Sequence, residues 1–219
     1  MIMNKLLKLS AIALLASSTS LMAQSKNFEG ASIAAYAATV GATVDGSLTN
    51  SNNEVTTGSI GKNTPIAGVD LAYTVSSGSN AFFGLGATYV PMKAKFGAGN
   101  SSGTPSVANT GEIKDHYSVY IQPGYAITKD SALYGKLSYN HADFKITGAN
   151  VSQQPGDLEG WGYGIGLKTF LTPNAFVQVE ASYTEYASLT AKETANSTTS
   201  TVTGKPKISA GTVTFGYKF

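Results

Sequence analysis

The sequence predicts an all-β chain: a closed antiparallel eight-stranded transmembrane β-barrel with three short periplasmic turns and four long extracellular loops. Three observations predict this fold class. Large apolar residues alternate with small or polar ones over several segments. The connectors between those segments alternate between short and long. The final segment alternates in the same way and places an aromatic residue, Phe219, at its last position.

Eight segments are predicted as strands because a helical period fails in each of them. The clearest puts Trp161 and Tyr163 on one face and glycines at the even positions 160–166 on the other. In the first strand both faces are mostly small, and we assign Ile33 outward. Pro123 cannot donate to a sheet ladder, so a bulge or local distortion is expected there. The predicted strands are 28–43, 67–75, 83–89, 117–125, 133–140, 160–168, 177–183 and 207–219.

The connectors predict which side of a membrane each strand end faces. Short turns are predicted near residues 76–80, 128–131 and 172–175, and long polar stretches near 44–63, 91–113, 142–158 and 187–204. Short periplasmic turns, long outer loops and an even strand number are typical of outer-membrane barrels. About ten residues at roughly 3.3 Å rise, tilted by about 40°, span about 25 Å, which matches the apolar band of such barrels.

The two faces of the strands distinguish a membrane barrel from a soluble one. Large apolar residues share one face, and small or polar residues share the other, which suits a narrow interior filled by side chains. Aromatic residues near strand ends predict two interfacial girdles, although ordinary β-propensity is the alternative explanation. The girdle residues are Tyr89, Tyr117, Tyr139, Trp161 and Tyr183 on the outer side, and Tyr73, Phe83, Tyr125, Tyr217 and Phe219 on the inner side.

The N-terminus and the composition limit the class of protein. Lys5, Lys8 and a short apolar run followed by Ala23 predict a cleaved signal peptide over residues 1–23 and one barrel domain over 24–219. Without those two lysines the chain has as many lysines as its 13 acidic residues. It has no arginine and no cysteine. No basic field therefore indicates nucleic acid, and no disulfide or thiolate site is possible.

The chain resembles the small OmpA-like and opacity-type outer-membrane barrels. The resemblance rests on the predicted signal peptide, the strand beginning at Trp161, the turn at Pro173 and the alternation Val213, Phe215, Tyr217 and Phe219. It implies that these last four residues are an insertion signal for the barrel-assembly machinery, with periplasmic chaperones also acting during biogenesis. It implies a bacterial outer membrane with lipid and lipopolysaccharide around the barrel. No peptidoglycan-binding domain is expected, since nothing follows Phe219.

Five polar residues are predicted inside the barrel: Asp70, Gln122, Lys136, Lys168 and Glu180. Lys168 and Glu180 flank one short turn, so they should be opposed or one diagonal step apart. Charges in a narrow interior of low dielectric need partners, and two lysines balance two acids. We expect a paired polar core that fills the barrel, and a gate across a small pore is the alternative.

The chain's two histidines, His116 and His141, lie near the outer ends of adjacent strands, close to Asp115 and Asp143. A surface metal or hydrolase site is conceivable there. However, strand phase puts His141 on the opposite face from Ser138, with Ser118 as the other nearby serine, and no third orienting group is evident. The glycines at 160–166 lie in a strand, so they are not a phosphate loop and should admit bulky interior neighbours such as Tyr134 or Phe176. No catalytic residue, cofactor or metal is predicted.

The outer loops carry few aromatic anchors of the kind that binding surfaces use. Two alternatives for the loops are equally favoured. One is adhesion through Met92, Phe96, Val107 or Val151, and the other is that the loops are solvated and bind nothing. The predicted function is a non-enzymatic outer-membrane protein that supports envelope integrity or surface interaction. The alternatives are a narrow porin-like channel and, less favoured, a lipid-modifying enzyme.

Overall fold

The fold is described from a computed structural model, over residues 24–49, 54–97, 110–147, 151–153, 156–195 and 198–219. The predicted signal peptide and Val107 lie outside these residues. Among the described residues, no helix has the length and apolar character needed to cross a membrane. A short 3₁₀ turn, Gln24–Phe28, precedes the first strand.

Eleven strands follow within the described part of the chain. They are β1 (Gly30–Thr49), β2 (Val55–Ser77), β3 (Ala81–Val90), β4 (Ala94–Gly97), β5 (Thr110–Ala126), β6 (Ser131–Thr147), β7 (Val151–Gln153), β8 (Leu158–Phe170), β9 (Ala175–Tyr186), β10 (Leu189–Ala195) and β11 (Thr198–Lys218).

Eight of these strands form a closed antiparallel barrel in the order β1, β2, β3, β5, β6, β8, β9, β11. Closure comes from β1, which pairs with β2 on one side and with β11 on the other. The short strands extend the wall, since β4 pairs with β5, and β10 pairs with β11 and β7. A closed sheet leaves no unpaired edge to face lipid. The predicted fold class is confirmed.

The large apolar residues face outward, as the alternation predicts. Tyr163 and Ile165 in β8 are 56% and 64% exposed, whereas Gly162, on the opposite face of the same strand, is buried. Ile33 also faces outward, with 46% of its surface exposed. The wall therefore presents its apolar side chains to the surroundings and leaves small and polar groups inside.

The three short turns lie where they are predicted, at 78–80, 127–130 and 171–174. At the other end the strands continue into the segments predicted as loops. β1 runs to Thr49, β2 starts at Val55 and β11 starts at Thr198, with unbroken pairing from Thr49 opposite Thr201 downward. Beyond the membrane both faces of a strand meet water, so the hydrophobic alternation that reveals a strand disappears.

The ladder distortion at Pro123 is present, but it is not a bulge. Pairing of β5 with β6 is interrupted after Ile121 and resumes at Gly124 in the same register. The register shift in this ladder lies between Lys114 and Tyr117, where Asp115 has a φ of 52°. An extra residue with positive φ absorbs the shift more readily than a proline, which only removes a donor.

Candidate functional site

The centre of the barrel holds a hydrogen-bonded polar layer. The Tyr120 hydroxyl donates to both carboxylate oxygens of Asp70, at 3.0 and 2.9 Å. On the other side the Tyr134 hydroxyl donates to Oε2 of Glu180 at 3.1 Å, and Lys136 Nζ lies 3.4 Å from Oε1. The Lys136 ammonium also lies 4.3 Å from the centre of the Tyr120 ring. The layer links both carboxylates to partners, as a narrow interior requires.

The tyrosines of this layer fit because glycines face them across the strands. A Cβ at any of these glycines would collide with the tyrosine ring above it. Large aromatic rings that lie against the backbone of glycines therefore fill the interior. Phe176, the other predicted neighbour of the β8 glycines, lies instead over Gly216 of β11. The tyrosine pairs are Tyr36 over Gly68, Tyr120 over Gly86 and Tyr134 over Gly166.

Lys168 lies one diagonal step from Glu180, since Gln178 is opposite Lys168 and Gly166 is opposite Glu180. The ion pair of Glu180 nevertheless forms with Lys136. Lys168 Nζ lies 3.8 Å from the centre of the Phe176 ring, and the residue is 5% exposed. Side-chain reach explains the difference, because Lys168 extends toward the periplasmic end. Gln122, the fifth predicted interior residue, is also buried.

An aromatic cluster closes the periplasmic end of the interior. Phe28, from the 3₁₀ turn, stacks on Phe82 with ring centres 5.0 Å apart and meets Phe170 edge-on at 5.3 Å. Phe170 in turn contacts Phe176. Ser25 fixes the turn through a hydrogen bond from its hydroxyl to the Gly78 carbonyl oxygen, at 2.8 Å. The N-terminal turn therefore contributes Phe28 to this cluster, a role that the alternation of the strands does not reveal.

A second apolar cluster occupies the interior at the extracellular end. Its centre is Ala142, Leu158 and Tyr186, each at most 2% exposed. The Tyr186 hydroxyl lies 3.3 Å from Nε2 of His116, and Nδ1 of this histidine is buried as well, so His116 lies inside the barrel. Partly buried apolar residues packed against the cluster are Ile113, Phe144, Leu189 and Ile208.

The structure separates the residues considered for catalysis. His141 faces outward, where its ring stacks on Tyr117 with centres 4.9 Å apart. Ser118 and Ser138 are buried inside and hydrogen-bond to Thr88 at 2.6 Å and to Asn140 at 3.0 Å respectively. No serine–histidine pair is formed among the described residues, as strand phase predicts for Ser138.

A charged group lies outside the barrel next to His141. Lys114 Nζ is 2.8 Å from Asp143 Oδ2 and 3.1 Å from Asp115 Oδ2. The hydrogen bond from Lys114 lowers the pKa of Asp143, and the hydrogen bonds to Asp143 and Asp115 raise the pKa of Lys114. Asp143 therefore stays ionised at neutral pH. Glu159 joins this group, with Oε1 3.7 Å from His141 Nδ1. The sequence does not indicate it, because it lies between the predicted loop 142–158 and the predicted strand 160–168.

The predicted girdle and terminal residues lie on the outer wall. Tyr139 and Trp161 are paired across β6 and β8 with ring centres 5.5 Å apart. Phe215 and Phe219 are 63% and 73% exposed, and the Phe219 amide donates to the Ala31 carbonyl oxygen at 2.9 Å. Tyr183 is half-buried. The other girdle and terminal residues are exposed on the wall: Tyr73, Phe83, Tyr89, Tyr117, Tyr125, Val213 and Tyr217.

Comparison with known families gives one match over almost the whole chain. The model of the outer membrane protein beta-barrel domain matches residues 11–219. A search of curated proteins finds no match.

Solved structures that are similar to this chain have low sequence identity to it. The outer membrane protein OprG from Pseudomonas aeruginosa is 14% identical, with a TM-score of 0.59, covering 87% of this chain and 96% of its own. Ail of Yersinia pestis, solved with the heparin analogue sucrose octasulfate, is 18% identical, with a TM-score of 0.48 and coverage of 87% and 99%. The outer membrane protease OmpT of Escherichia coli is 9% identical, with a TM-score of 0.47 and coverage of 93% and 99%. At these identities the OprG likeness supports the fold alone.

Proposed function

Because this chain belongs to the outer membrane protein beta-barrel domain family, we propose that it is a non-enzymatic protein of the bacterial outer membrane with a sealed interior. Its role is to support envelope integrity and surface interaction through the part of the wall that extends beyond the membrane. The observation that carries this proposal is the filling of the barrel.

Three layers fill the interior along the barrel axis. The aromatic cluster around Phe28 closes the periplasmic end, and the second apolar cluster, around Leu158, lies at the extracellular end. Between them lies the polar layer of Asp70, Tyr120, Lys136 and Glu180. Hydrated ions need a continuous polar path, and two apolar clusters in series oppose one. This arrangement favours a sealed barrel over the narrow channel that is the alternative.

The length of the wall supports a surface role. β1, β2 and β11 contain 20, 23 and 21 residues. At roughly 3.3 Å per residue and a tilt of about 40°, these strands are about 50–60 Å tall, whereas the apolar band is about 25 Å. About half of each strand therefore stands outside the membrane as paired sheet. We call this part, residues 44–49, 55–63 and 198–206, the extracellular rim.

Conductance of the refolded protein in planar bilayers tests the sealed interior. We expect no stable current steps from the wild-type protein under conditions in which a general porin conducts. Reproducible unitary steps that disappear in Lys136→Met would establish the channel instead.

A deletion strain tests the envelope and surface role. We expect greater detergent sensitivity and weaker surface attachment, restored by the wild-type gene. The matched control is a variant in which residues 47–57 of the rim are replaced by a short turn. Restoration of detergent resistance without attachment would assign the two activities to the barrel and to the rim respectively. Normal behaviour of the deletion strain in both assays would overturn the proposal.

A further inference from the structure

Two buried residues fix the positions of four outward side chains above the outer girdle. Ala142 of β6 is paired with Leu158 of β8, and both point into the apolar cluster. Their chain neighbours therefore point outward, since side chains alternate along a strand. His141 is paired with Glu159, and Asp157, which directly precedes β8, is exposed near Asp143. One imidazole and three carboxylates thus lie close together on the outer surface.

The ligand atoms of these groups lie close to the spacing of a cation site. Nε2 of His141 lies 3.8 Å from Oδ1 of Asp143, and one ligand atom from each of His141, Asp143 and Asp157 lies within 4.8 Å of the others. Ligands that share a tetrahedral cation at about 2.0–2.2 Å are roughly 3.3–3.6 Å apart. Rotation of the exposed Asp157 side chain and of Asp143, whose side chain is 40% exposed, is the movement that would bring the oxygens to that spacing around the His141 ring.

The charge of the group is also unbalanced. Like charges that lie close together repel each other, and Asp143, Asp157 and Glu159 place three carboxylates around one imidazole. The Lys114 ammonium offsets the negative charge of one carboxylate, since its Nζ lies 2.8 Å from Oδ2 of Asp143. The other oxygen of Asp143, Oδ1, lies on the side of His141. A cation between the imidazole and the carboxylates would offset the remaining charge.

We propose that His141, Asp143 and Asp157 form a binding site for a divalent transition-metal cation, with Zn²⁺ the best fit, on the outer surface of β6 and β8. The imidazole selects against Ca²⁺ and Mg²⁺, which prefer oxygen ligands alone. Stacking on Tyr117 orients the His141 ring. Three protein ligands are the number found in zinc sites that keep an open position, and Glu159 is the nearest further carboxylate.

Calorimetric titration of the refolded barrel in detergent with ZnCl₂, in a buffer that does not chelate metals, tests the site. We expect one Zn²⁺ per chain, and at least about a tenfold loss of affinity in His141→Ala and in Asp157→Asn. The matched control is Glu185→Gln, which removes a carboxylate held by Lys205 on a different strand. Its affinity should equal that of the wild type. Circular dichroism of each variant shows that the barrel is folded.

Lys114→Met supplies a variant with the opposite expectation. The Lys114 ammonium competes with the metal for Asp143, so its removal should strengthen Zn²⁺ binding several-fold. Absence of Zn²⁺ binding by the folded wild type, or equal affinity in His141→Ala and Glu185→Gln, would overturn the proposal. Tighter binding of Ca²⁺ than of Zn²⁺ would do the same, because it would remove the role of the imidazole.

Discussion

At the scale of single residues, the interior depends on pairs of residues on neighbouring strands, in which one member is a glycine and the other a large aromatic residue. Tyr134 lies over Gly166, and its hydroxyl reaches Glu180 on the strand beyond. The glycine is therefore needed for the ring to lie flat, and the flat ring is needed for the hydrogen bond. Packing and polar satisfaction are coupled in the same few atoms.

Gly166→Ala should destabilise the barrel by about 1–3 kcal/mol, because the added methyl group must displace the Tyr134 ring. Gly211→Ala is the matched control, since nothing lies within 4 Å of a Cβ at that position. Urea unfolding in lipid vesicles gives both free energies. Equal stability of the two variants would show that the ring does not need the bare backbone.

Lys136→Met should lower the unfolding free energy by about 1–3 kcal/mol, because it leaves the Glu180 carboxylate without its ammonium partner in a mostly buried position. Adding Glu180→Gln to the same chain should recover much of the loss. The double-mutant cycle is read from the same unfolding experiment. A loss in the double variant equal to the sum of the two single losses would mean that the residues are not coupled.

At the scale of strands, β11 connects three functions of the fold. It closes the sheet against β1, pairs with β9 on its other side and carries the terminal residues on the outer wall. A defect at its end affects both ladders, because no other strand can replace it in the closed order. The rim, in contrast, is formed by strand ends above the membrane.

Deletion of Phe219 should reduce the amount of folded protein in the outer membrane several-fold, since the last aromatic residue is the predicted insertion signal and its amide bonds to Ala31. Replacement of residues 47–57 by a short turn should have a much smaller effect. Surface labelling and heat-dependent gel mobility measure both variants. Equal surface levels would contradict the prediction.

The sequence predicts the spanning halves of the strands well, and for a physical reason. Lipid outside and small groups inside impose a strict alternation, as β8 shows from Trp161 to Leu167. The rim lacks that constraint, so residues 44–49 and 198–206 resemble loops although they are paired. The partner of Glu180 could not be predicted either, because register fixes Cα positions and leaves the reach of each lysine open. The alternation of side chains along the strand did predict that His141 and Ser138 lie on opposite faces.

At the scale of the whole molecule, the barrel is divided into an apolar, a polar and a second apolar section along its axis. The first section is completed by a segment outside the barrel strands, the 3₁₀ turn that carries Phe28. The last section is formed by strand residues that also orient the charged group on the outer surface, through Ala142 and Leu158. The apolar cluster and the charged group therefore lie on opposite faces of the same two strands at the extracellular end.

The position of Trp161 makes the chain an optical reporter of its own insertion. It is the one tryptophan in the sequence, it lies on the outer wall with 58% of its surface exposed, and its ring contacts Tyr139. Tryptophan fluorescence therefore comes from a single depth. That depth is close to the outer membrane–water interface, which the extracellular end of the barrel reaches only after it has crossed the bilayer. Quenchers attached at graded positions along lipid acyl chains would follow that residue in time, and the rate obtained would describe translocation of the extracellular end alone.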